Sequence, residues 1–242
     1  MTDMQNQRER NDRLSFFMDL AGHDMMNSNQ AVLSYLELIM AAPDVTPKTK
    51  KYAEKAVAHV RSSTMLVEDI RRLLAARLAS SEPMKAVNLT NSIARSEREL
   101  RAFFPAKKIK ITTAGNLGDV YVLGESVAEY LILNMLVTLV KLDIEENVEI
   151  GISVRETTVG GNECWVLRME DQNSQLPPGL RGDDFDSVYS KDSSVSVKIT
   201  GLIFSKMIAE SLGGQFVTQE LVRQGERRGA ALIATLRRAR SP

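Results

Sequence analysis

Leu20-Ala21-Gly22-His23-Asp24-Met25-Met26-Asn27 is the most informative stretch of this 242-residue chain. It places a histidine in an amphipathic helical pattern, with an acid at the next position and an amide four positions on. Asp24 could hold the imidazole by one nitrogen, which leaves the other nitrogen free to act as a nucleophile. Asn27 lies on the same helix face and could orient a water molecule or a phosphoryl oxygen. The stretch therefore indicates phosphoryl chemistry at His23, whereas a lone exposed histidine would indicate nothing.

Two segments around this stretch carry apolar residues at alternating intervals of three and four, the a/d pattern of a coiled-coil seam. Pro43 and Pro47 separate them, and Thr46 is a suitable N-cap for the second helix. Further apolar residues lie off both seams, so we expect two hairpins to pair as a homodimeric four-helix bundle. An intramolecular bundle, or a helical pair packed on the next domain, is the alternative. The seam positions are 14, 17, 21, 24, 28, 31, 35 and 38, followed by 53, 56, 60, 63, 67, 70 and 74.

The sequence changes character around residues 78–83, where we place a domain boundary. We expect a flexible N-terminus at residues 1–13, the helical hairpin at 14–80 and a second domain at 84–242. Strands that follow one another, with helices set apart, indicate an α+β fold in which helices cover one face of a mainly antiparallel sheet. The expected strands lie near residues 86–89, 108–113, 120–123, 148–154, 165–169, 215–219 and 230–236, and the expected helices near 90–104, 126–142 and 197–212.

Composition narrows the choice of partners. The formal net charge is zero, so no overall field favours nucleic acid or an anionic membrane surface. The longest apolar run, at residues 130–140, is too short for a membrane span and is better interpreted as a buried helix. The polar N-terminus does not look like a signal peptide, and a single cysteine, Cys164, excludes an intrachain disulfide. These features predict a cytoplasmic protein.

With these elements in order, residues 14–242 resemble the catalytic core of two-component sensor histidine kinases. The resemblance implies a phospho-accepting histidine on a dimeric hairpin, followed by a Bergerat-type ATP-binding α/β sandwich. In that family the acid after the histidine assists phosphoryl transfer, and a Thr or Asn at +4 assists dephosphorylation of the partner response regulator. Asp24 and Asn27 occupy those two positions. The family's prolines after the histidine are absent, and Ser28-Asn29-Gln30 stands there instead.

Residues 131–141, LILNMLVTLVK, resemble the N-box of the ATP-binding domain. Its first asparagine is present as Asn134, whereas the second, which holds Mg²⁺ in the family, is replaced by Thr138. Lys141 stands where the family often has a base that contacts phosphate. The resemblance therefore implies a nucleotide site that lacks one metal ligand.

The glycine-rich parts of the ATP site are also altered. Asp171 remains where the family's aspartate reads the adenine amino group, but Asn173 and Gln175 replace the glycines that follow it. Residues 199–204, ITGLIF, stand in place of a GxGLGL run, of which Gly201 and the next leucine survive. Glycines in that run let backbone N–H groups wrap the phosphates. Asn134, Lys141, Asp171 and Gly201 are thus expected to be vestigial, with no metal site and no bound cofactor.

Three functions remain open. The first is a histidine phosphotransferase or phosphatase that acts through His23 on receiver domains of response regulators, without ATP chemistry of its own. The second is an active kinase with an atypical site for ATP and Mg²⁺. The third is a non-catalytic dimeric scaffold that modulates a regulator or a kinase. An anti-sigma-type kinase shares the Bergerat fold but would not need the hairpin that carries His23.

Overall fold

The computed structural model describes residues 2–78, 85–115, 117–118, 120–176, 197–223 and 226–240. The chain folds into two compact units, Met1–Ser81 and Glu82–Pro242. Within the described ranges, none of the helices combines the length and the apolarity needed to cross a membrane.

The first unit is a helical hairpin of α1 (Thr2–Ala41) and α2 (Pro47–Leu78). The Thr46 hydroxyl accepts a hydrogen bond from the backbone N–H of Thr49 at 3.1 Å, which confirms Thr46 as the cap that starts α2. Residues 2–13, where the sequence predicts a flexible N-terminus, form the first part of α1. After Thr2 this segment contains no glycine, proline or β-branched residue, so nothing in it interrupts a helix.

The two helices pack through one apolar face each. On α2 the buried or half-buried positions include 53, 56, 60, 63 and 67, as the predicted second seam requires. On α1 the prediction is offset by one or two residues, since positions 21, 24, 28, 31, 35 and 38 are exposed. The face that packs within the hairpin instead contains large apolar residues without an acidic interruption. Its buried or half-buried members are Gly22, Met26, Asn29, Leu33, Leu36 and Met40.

The second unit contains two sheets. A two-stranded antiparallel sheet joins β1 (Ala86–Asn88) to β3 (Tyr121–Leu123). The main sheet has five strands in the order β2-β4-β5-β7-β6, in which only the β2–β4 pair is parallel. This arrangement confirms the mixed helix-and-sheet class with a mainly antiparallel sheet. The strands are β2 (Lys108–Ala114), β4 (Asn147–Val159), β5 (Asn162–Asp171), β6 (Gln215–Arg223) and β7 (Glu226–Arg237).

Three helices accompany these strands: α3 (Leu89–Phe103), α4 (Glu125–Leu142) and α5 (Val197–Ser211). The core is centred on α4, in which every residue from 130 to 140 is buried. The N-cap of α3 is Asn88, whose side chain accepts from the Asn91 N–H. Thr90 donates its hydroxyl to the Leu117 carbonyl at 2.6 Å. Gly213, with φ 69°, follows the end of α5 as a glycine stop.

Candidate functional site

His23, Asp24 and Asn27 form one exposed cluster on α1. The side chains of His23 and Asp24 are 69% and 74% exposed, so the imidazole can be reached from solvent. Asp24 Oδ1 lies 3.4 Å from His23 Nδ1. Asn27 Nδ2 lies 3.2 Å from Nδ1 and 3.4 Å from Nε2 of the same ring. The i and i+4 spacing of the helix therefore brings the amide to the edge of the imidazole.

The contacts of His23 distinguish its two tautomers. The Asn27 amide nitrogen can only donate, so its 3.2 Å contact with Nδ1 is a hydrogen bond only when Nδ1 lacks a proton. A carboxylate can only accept, so the 3.4 Å contact with Asp24 is a hydrogen bond only when Nδ1 carries one. Nε2 then carries the lone pair, and the Asn27 amide is the only one of the two neighbours that can donate to it. This arrangement presents Nε2 as the nucleophilic atom, with Asp24 behind the ring and Asn27 beside it.

Below the cluster, Asn29 ties α1 to α2. Its amide donates to the Ser63 hydroxyl at 3.3 Å and to the Thr64 hydroxyl at 3.1 Å. Because Asn29 lies on the inner face of the hairpin, these bonds fix the axial register of α1 against α2 close to His23. The place of Asn29 on the same face as Leu33 and Leu36 is the signal in the sequence for this interhelical role.

The hairpin also exposes large apolar side chains away from its inner face. Met25, Val32 and Ile39 are seven residues apart and line one side of α1, with exposed fractions of 44–50%. Tyr35 and Leu38 extend the same surface and are 67% and 68% exposed. His23, two positions before Met25, faces another side of the helix. A single hairpin thus leaves an apolar stripe uncovered beside an accessible histidine.

In the second unit, Asn134 and Gly201 meet directly. The Asn134 amide donates to the Gly201 carbonyl at 2.8 Å and to the Ser205 hydroxyl at 2.9 Å. Asn134 is buried, and its two donor protons are both used to join α4 to α5. Ser205 was not predicted, although its position four residues after Gly201 places it on the same face of α5.

Thr138 lies against the same part of α5. A Cβ atom added to Gly201 would overlap the Thr138 hydroxyl, so the glycine allows the two helices to approach closely. The Thr138 hydroxyl is buried and has no hydrogen-bond partner. Gly201 lies inside α5, where its backbone takes part in the helix, rather than in a loop before it.

Asp171 ends β5 and organises the turn that follows. Its Oδ1 accepts from the backbone N–H groups of Asn173 at 2.6 Å and Ser174 at 3.2 Å. Burial, together with the neighbouring carboxyl of Asp143, raises the pKa of Asp171 to about 6, against the opposing effect of the Asn173 amide. Asp143 was not predicted, and no sequence pattern links it to a partner 28 positions away.

The remaining predicted site residues are less informative. Lys141 is half-buried in the last turn of α4 and has a polar interaction of its own. Residues 185–191, which the resemblance matches to the lid of the histidine kinase ATP-binding domain, lie outside the described residues. Among the residues that the structure describes, no three His, Cys, Asp or Glu side chains gather as they would around a metal ion.

Solved structures of histidine kinases share this architecture. A structure titled full-length ShkA in complex with AMPPNP superimposes with a TM-score of 0.58 at 15% identity, over 93% of this chain and 46% of that one. The Mycobacterial sensor histidine kinase MprB matches with a TM-score of 0.50 at 19% identity, over 65% of this chain and 99% of that one. The chain has the fold of a sensor histidine kinase catalytic core. The Acinetobacter baumannii histidine kinase AdeS agrees, with a TM-score of 0.50 at 13% identity over 88% and 94% of the two chains.

This likeness is one of fold. The chain spans about half the length of ShkA and nearly all of the MprB and AdeS structures. No protein-family model matches the sequence, and no curated protein matches it either. The histidine kinase fold therefore supplies the frame, and the activity has to be argued from this chain's own residues.

Proposed function

We propose that this chain is a two-component signalling protein that transfers phosphoryl groups between His23 and the receiver domains of response regulators, with little or no ATP binding. The observation that carries the proposal is the exposed imidazole of His23, with Asp24 and Asn27 both within 3.4 Å of its ring nitrogens. The histidine kinase fold around it is the second support.

In the proposed step, Nε2 of His23 attacks the phosphorus of a receiver aspartyl phosphate. The N–P bond forms while the bond from phosphorus to the aspartyl oxygen breaks, and the electron pair leaves with the receiver carboxylate. The imidazole gains positive charge, which Asp24 stabilises through the proton on Nδ1. Transfer to a second receiver reverses these changes. Asn27 would position water for hydrolysis of the receiver's phosphate.

In the second unit, the residues of the expected nucleotide site are poorly arranged to bind a nucleotide with Mg²⁺. Asn134 spends both amide protons on α5, and Thr138 offers a hydroxyl packed against Gly201 where a metal ligand would be needed. One oxygen of Asp171 is already held by the turn at residues 173–174. Metal-bridged phosphates are central to phosphoryl transfer from ATP, so no step through ATP is assigned to this chain.

Dimerisation is part of the proposal. The apolar stripe of Met25, Val32, Tyr35, Leu38 and Ile39 is exposed in a single hairpin. Exposed apolar patches of this kind mark interaction surfaces, and a second hairpin would cover this one by forming a four-helix bundle. His23 lies about 160° around α1 from Met25, so a receiver domain could reach it beside a partner hairpin that covers Met25, Val32 and Ile39.

An active kinase is the competing function, and one observation favours it. The ShkA structure with the same fold is titled as a complex with AMPPNP, so this architecture accommodates a nucleotide analogue in that protein. A dimeric scaffold without chemistry at His23 is the third possibility.

Two sets of experiments, one with ATP and one with a phosphorylated receiver domain, separate these functions. Titration calorimetry with ATP and Mg²⁺, followed by incubation with radiolabelled ATP, should show neither binding at micromolar concentrations nor labelling of the chain. Thr138→Asn should not restore binding, because Asn134 and Gly201 would still be joined across the helices. Micromolar binding by the unmodified chain would establish the kinase instead. Incubation with a phosphorylated receiver domain should label the chain, and absence of transfer would leave only the scaffold.

A further inference from the structure

Two buried carboxyl groups face each other at one edge of the second unit. Asp143, which follows the last residue of α4, is 3% exposed, and Asp171, at the end of β5, is 1% exposed. The two side chains lie within hydrogen-bonding range of one another. Neither residue belongs to the cluster around His23.

Each carboxyl group has one oxygen satisfied and one oxygen without a donor. Asp143 Oδ1 accepts from the Glu145 N–H at 2.7 Å, and Asp171 Oδ1 accepts from the N–H groups of Asn173 and Ser174. Oδ2 of each residue is buried and has no conventional donor. Two carboxylate oxygens can share a hydrogen bond only if one of them is protonated, and two ionised carboxylates side by side in a buried site repel each other.

The pair lies at a junction between α4 and the turn at residues 172–175. Asp143 and Ser174 form an isolated β-bridge. The Ser174 hydroxyl donates to the Leu139 carbonyl at 3.0 Å, and the Gln175 N–H donates to the Leu142 carbonyl at 3.2 Å. The bridge, which includes the Gln175–Leu142 hydrogen bond, and the Ser174 hydroxyl therefore hold the turn against the end of the helix, with the two carboxyl groups between them.

Among the residues that the structure describes, few charged groups surround this junction. Lys107, in the segment before β2, donates to the backbone oxygens of Asp143 at 2.7 Å and Val140 at 3.1 Å. Lys141 on α4 is half-buried, and Glu145 and Glu146 are exposed. On β5 the neighbouring Glu170 is paired with Arg168 at 2.9 Å. The turn at residues 172–175 carries no charged side chain.

We infer that Asp143 and Asp171 share one proton, and that this proton joins the turn at residues 172–175 to the C-terminal end of α4, so that raising the pH loosens this edge of the second unit. Burial, aided by Asp143, raises the pKa of Asp171 from 3.8 to about 6. The folded state then binds the proton more tightly than the unfolded chain does. Stability from this pair is greatest below about pH 4, falls as the pH rises to about 6, and stays low above that value.

The test compares the full chain with Asp143→Asn by urea unfolding at pH 5.0 and pH 7.5, followed through Trp165, the only tryptophan. When the pH rises from 5.0 to 7.5, the unmodified chain should lose the stabilisation that the pair provides, and its folded-to-unfolded ratio should fall by about tenfold. An asparagine at 143 can donate an N–H to the ionised Asp171 carboxylate, so the contact no longer needs a bound proton. The variant should therefore lose the tenfold pH dependence and be more stable than the unmodified chain at pH 7.5. Glu146→Gln removes an exposed acid nearby and serves as the matched control. We expect its stability to depend on pH as that of the unmodified chain does.

Two results would overturn the inference: an Asp143→Asn variant with the same pH dependence as the unmodified chain, or one that is less stable at pH 7.5. Measurements on the unmodified chain guard against a variant that fails to fold. Infrared spectroscopy should show the carbonyl band of a buried protonated carboxyl group at pH 5.0 and its loss at pH 7.5. After correction for intrinsic rates, the amides of Asn173, Ser174 and Gln175 should exchange faster above pH 6. No protonated carboxyl band at pH 5.0, or exchange unaffected by pH, would contradict the shared proton.

Discussion

The imidazole of His23 has two neighbours with different chemical capacities. Asp24 accepts only, so it can hold a proton on Nδ1, while the Asn27 amide lies 3.4 Å from Nε2 and can donate there. The acid therefore assists any step in which Nε2 is the nucleophile. The amide is not itself a nucleophile, and its plausible contribution is to place a water molecule or a phosphoryl oxygen.

These different roles predict a selective effect of Asn27→Ala. Hydrolysis of a receiver's aspartyl phosphate should slow by at least about tenfold, because the group that positions water is lost. Phosphoryl transfer to His23 should change by less than about threefold, since Asp24 and the imidazole remain. Both rates can be followed with one radiolabelled receiver domain. Gln30→Ala, an exposed change less than one turn further along α1, is the matched control and should leave both rates unchanged. Equal losses in the two reactions would assign Asn27 to the transfer step instead.

Single residues also show how far the sequence could be interpreted. His23, Asp24 and Asn27 could be placed together because helical spacing alone puts them on neighbouring positions of one surface. Asp143 could not be paired with Asp171, because their contact depends on how α4 packs beside β5. Asn134 was expected to be a vestigial nucleotide residue, and its bonds to Gly201 and Ser205 required the position of α5.

Helices and strands form the next scale, where the contact between α4 and α5 is the most telling. Thr138 is β-branched, so its Cβ, hydroxyl and methyl group all lie near Gly201, and the glycine provides the space that they occupy. The glycine that a phosphate-binding loop would use for backbone access serves here as a packing residue between two helices.

This contact predicts the outcome of a pair of substitutions. Gly201→Ala should lower the free energy of unfolding by about 1–2 kcal/mol, because the overlap with Thr138 outweighs the better helix propensity of alanine. Adding Thr138→Ala should restore most of the loss by removing the overlapping hydroxyl. Urea unfolding monitored through Trp165 measures both effects. If Gly201→Ala alone proves as stable as the unmodified chain, the close approach of α4 to α5 is wrong.

The elements themselves were predicted with uneven success. The apolar run at residues 130–140 identified α4, and alternation identified the strands, because burial imposes both patterns. The hairpin of β4 and β5 is longer than predicted, since its outer part pairs polar residues such as Glu156 and Thr158 with the opposite strand. Such pairing is stabilised by cross-strand hydrogen bonds, which leave no apolar pattern. On α1 the apolar residues occupy two sides of the helix, and spacing alone did not decide which side faces α2.

At the scale of the whole molecule, the exposed stripe on α1 predicts a homodimer. Leu38→Glu should shift the protein toward monomer at micromolar concentration, because pairing through the stripe would bury an unpaired charge. Multi-angle light scattering should give roughly twice the chain mass for the unmodified protein and a lower mass for the variant. Gln30→Glu adds the same charge at an exposed position about 80° or more around α1 from every residue of the stripe, and it should leave the dimer intact. A monomeric unmodified chain would refute the four-helix bundle.

The central claim is that His23 exchanges phosphoryl groups with a receiver domain in the absence of ATP. The most direct measurement incubates the chain with a phosphorylated receiver domain, without nucleotide, and locates the acid-labile phosphate by mass spectrometry. We predict phosphate on His23. The phosphate lost by the receiver should equal the sum of the phosphate on His23 and the inorganic phosphate released by hydrolysis. A His23→Gln variant that remains dimeric should carry no label. Phosphoryl exchange by the His23→Gln protein at the rate of the unmodified chain would contradict the account.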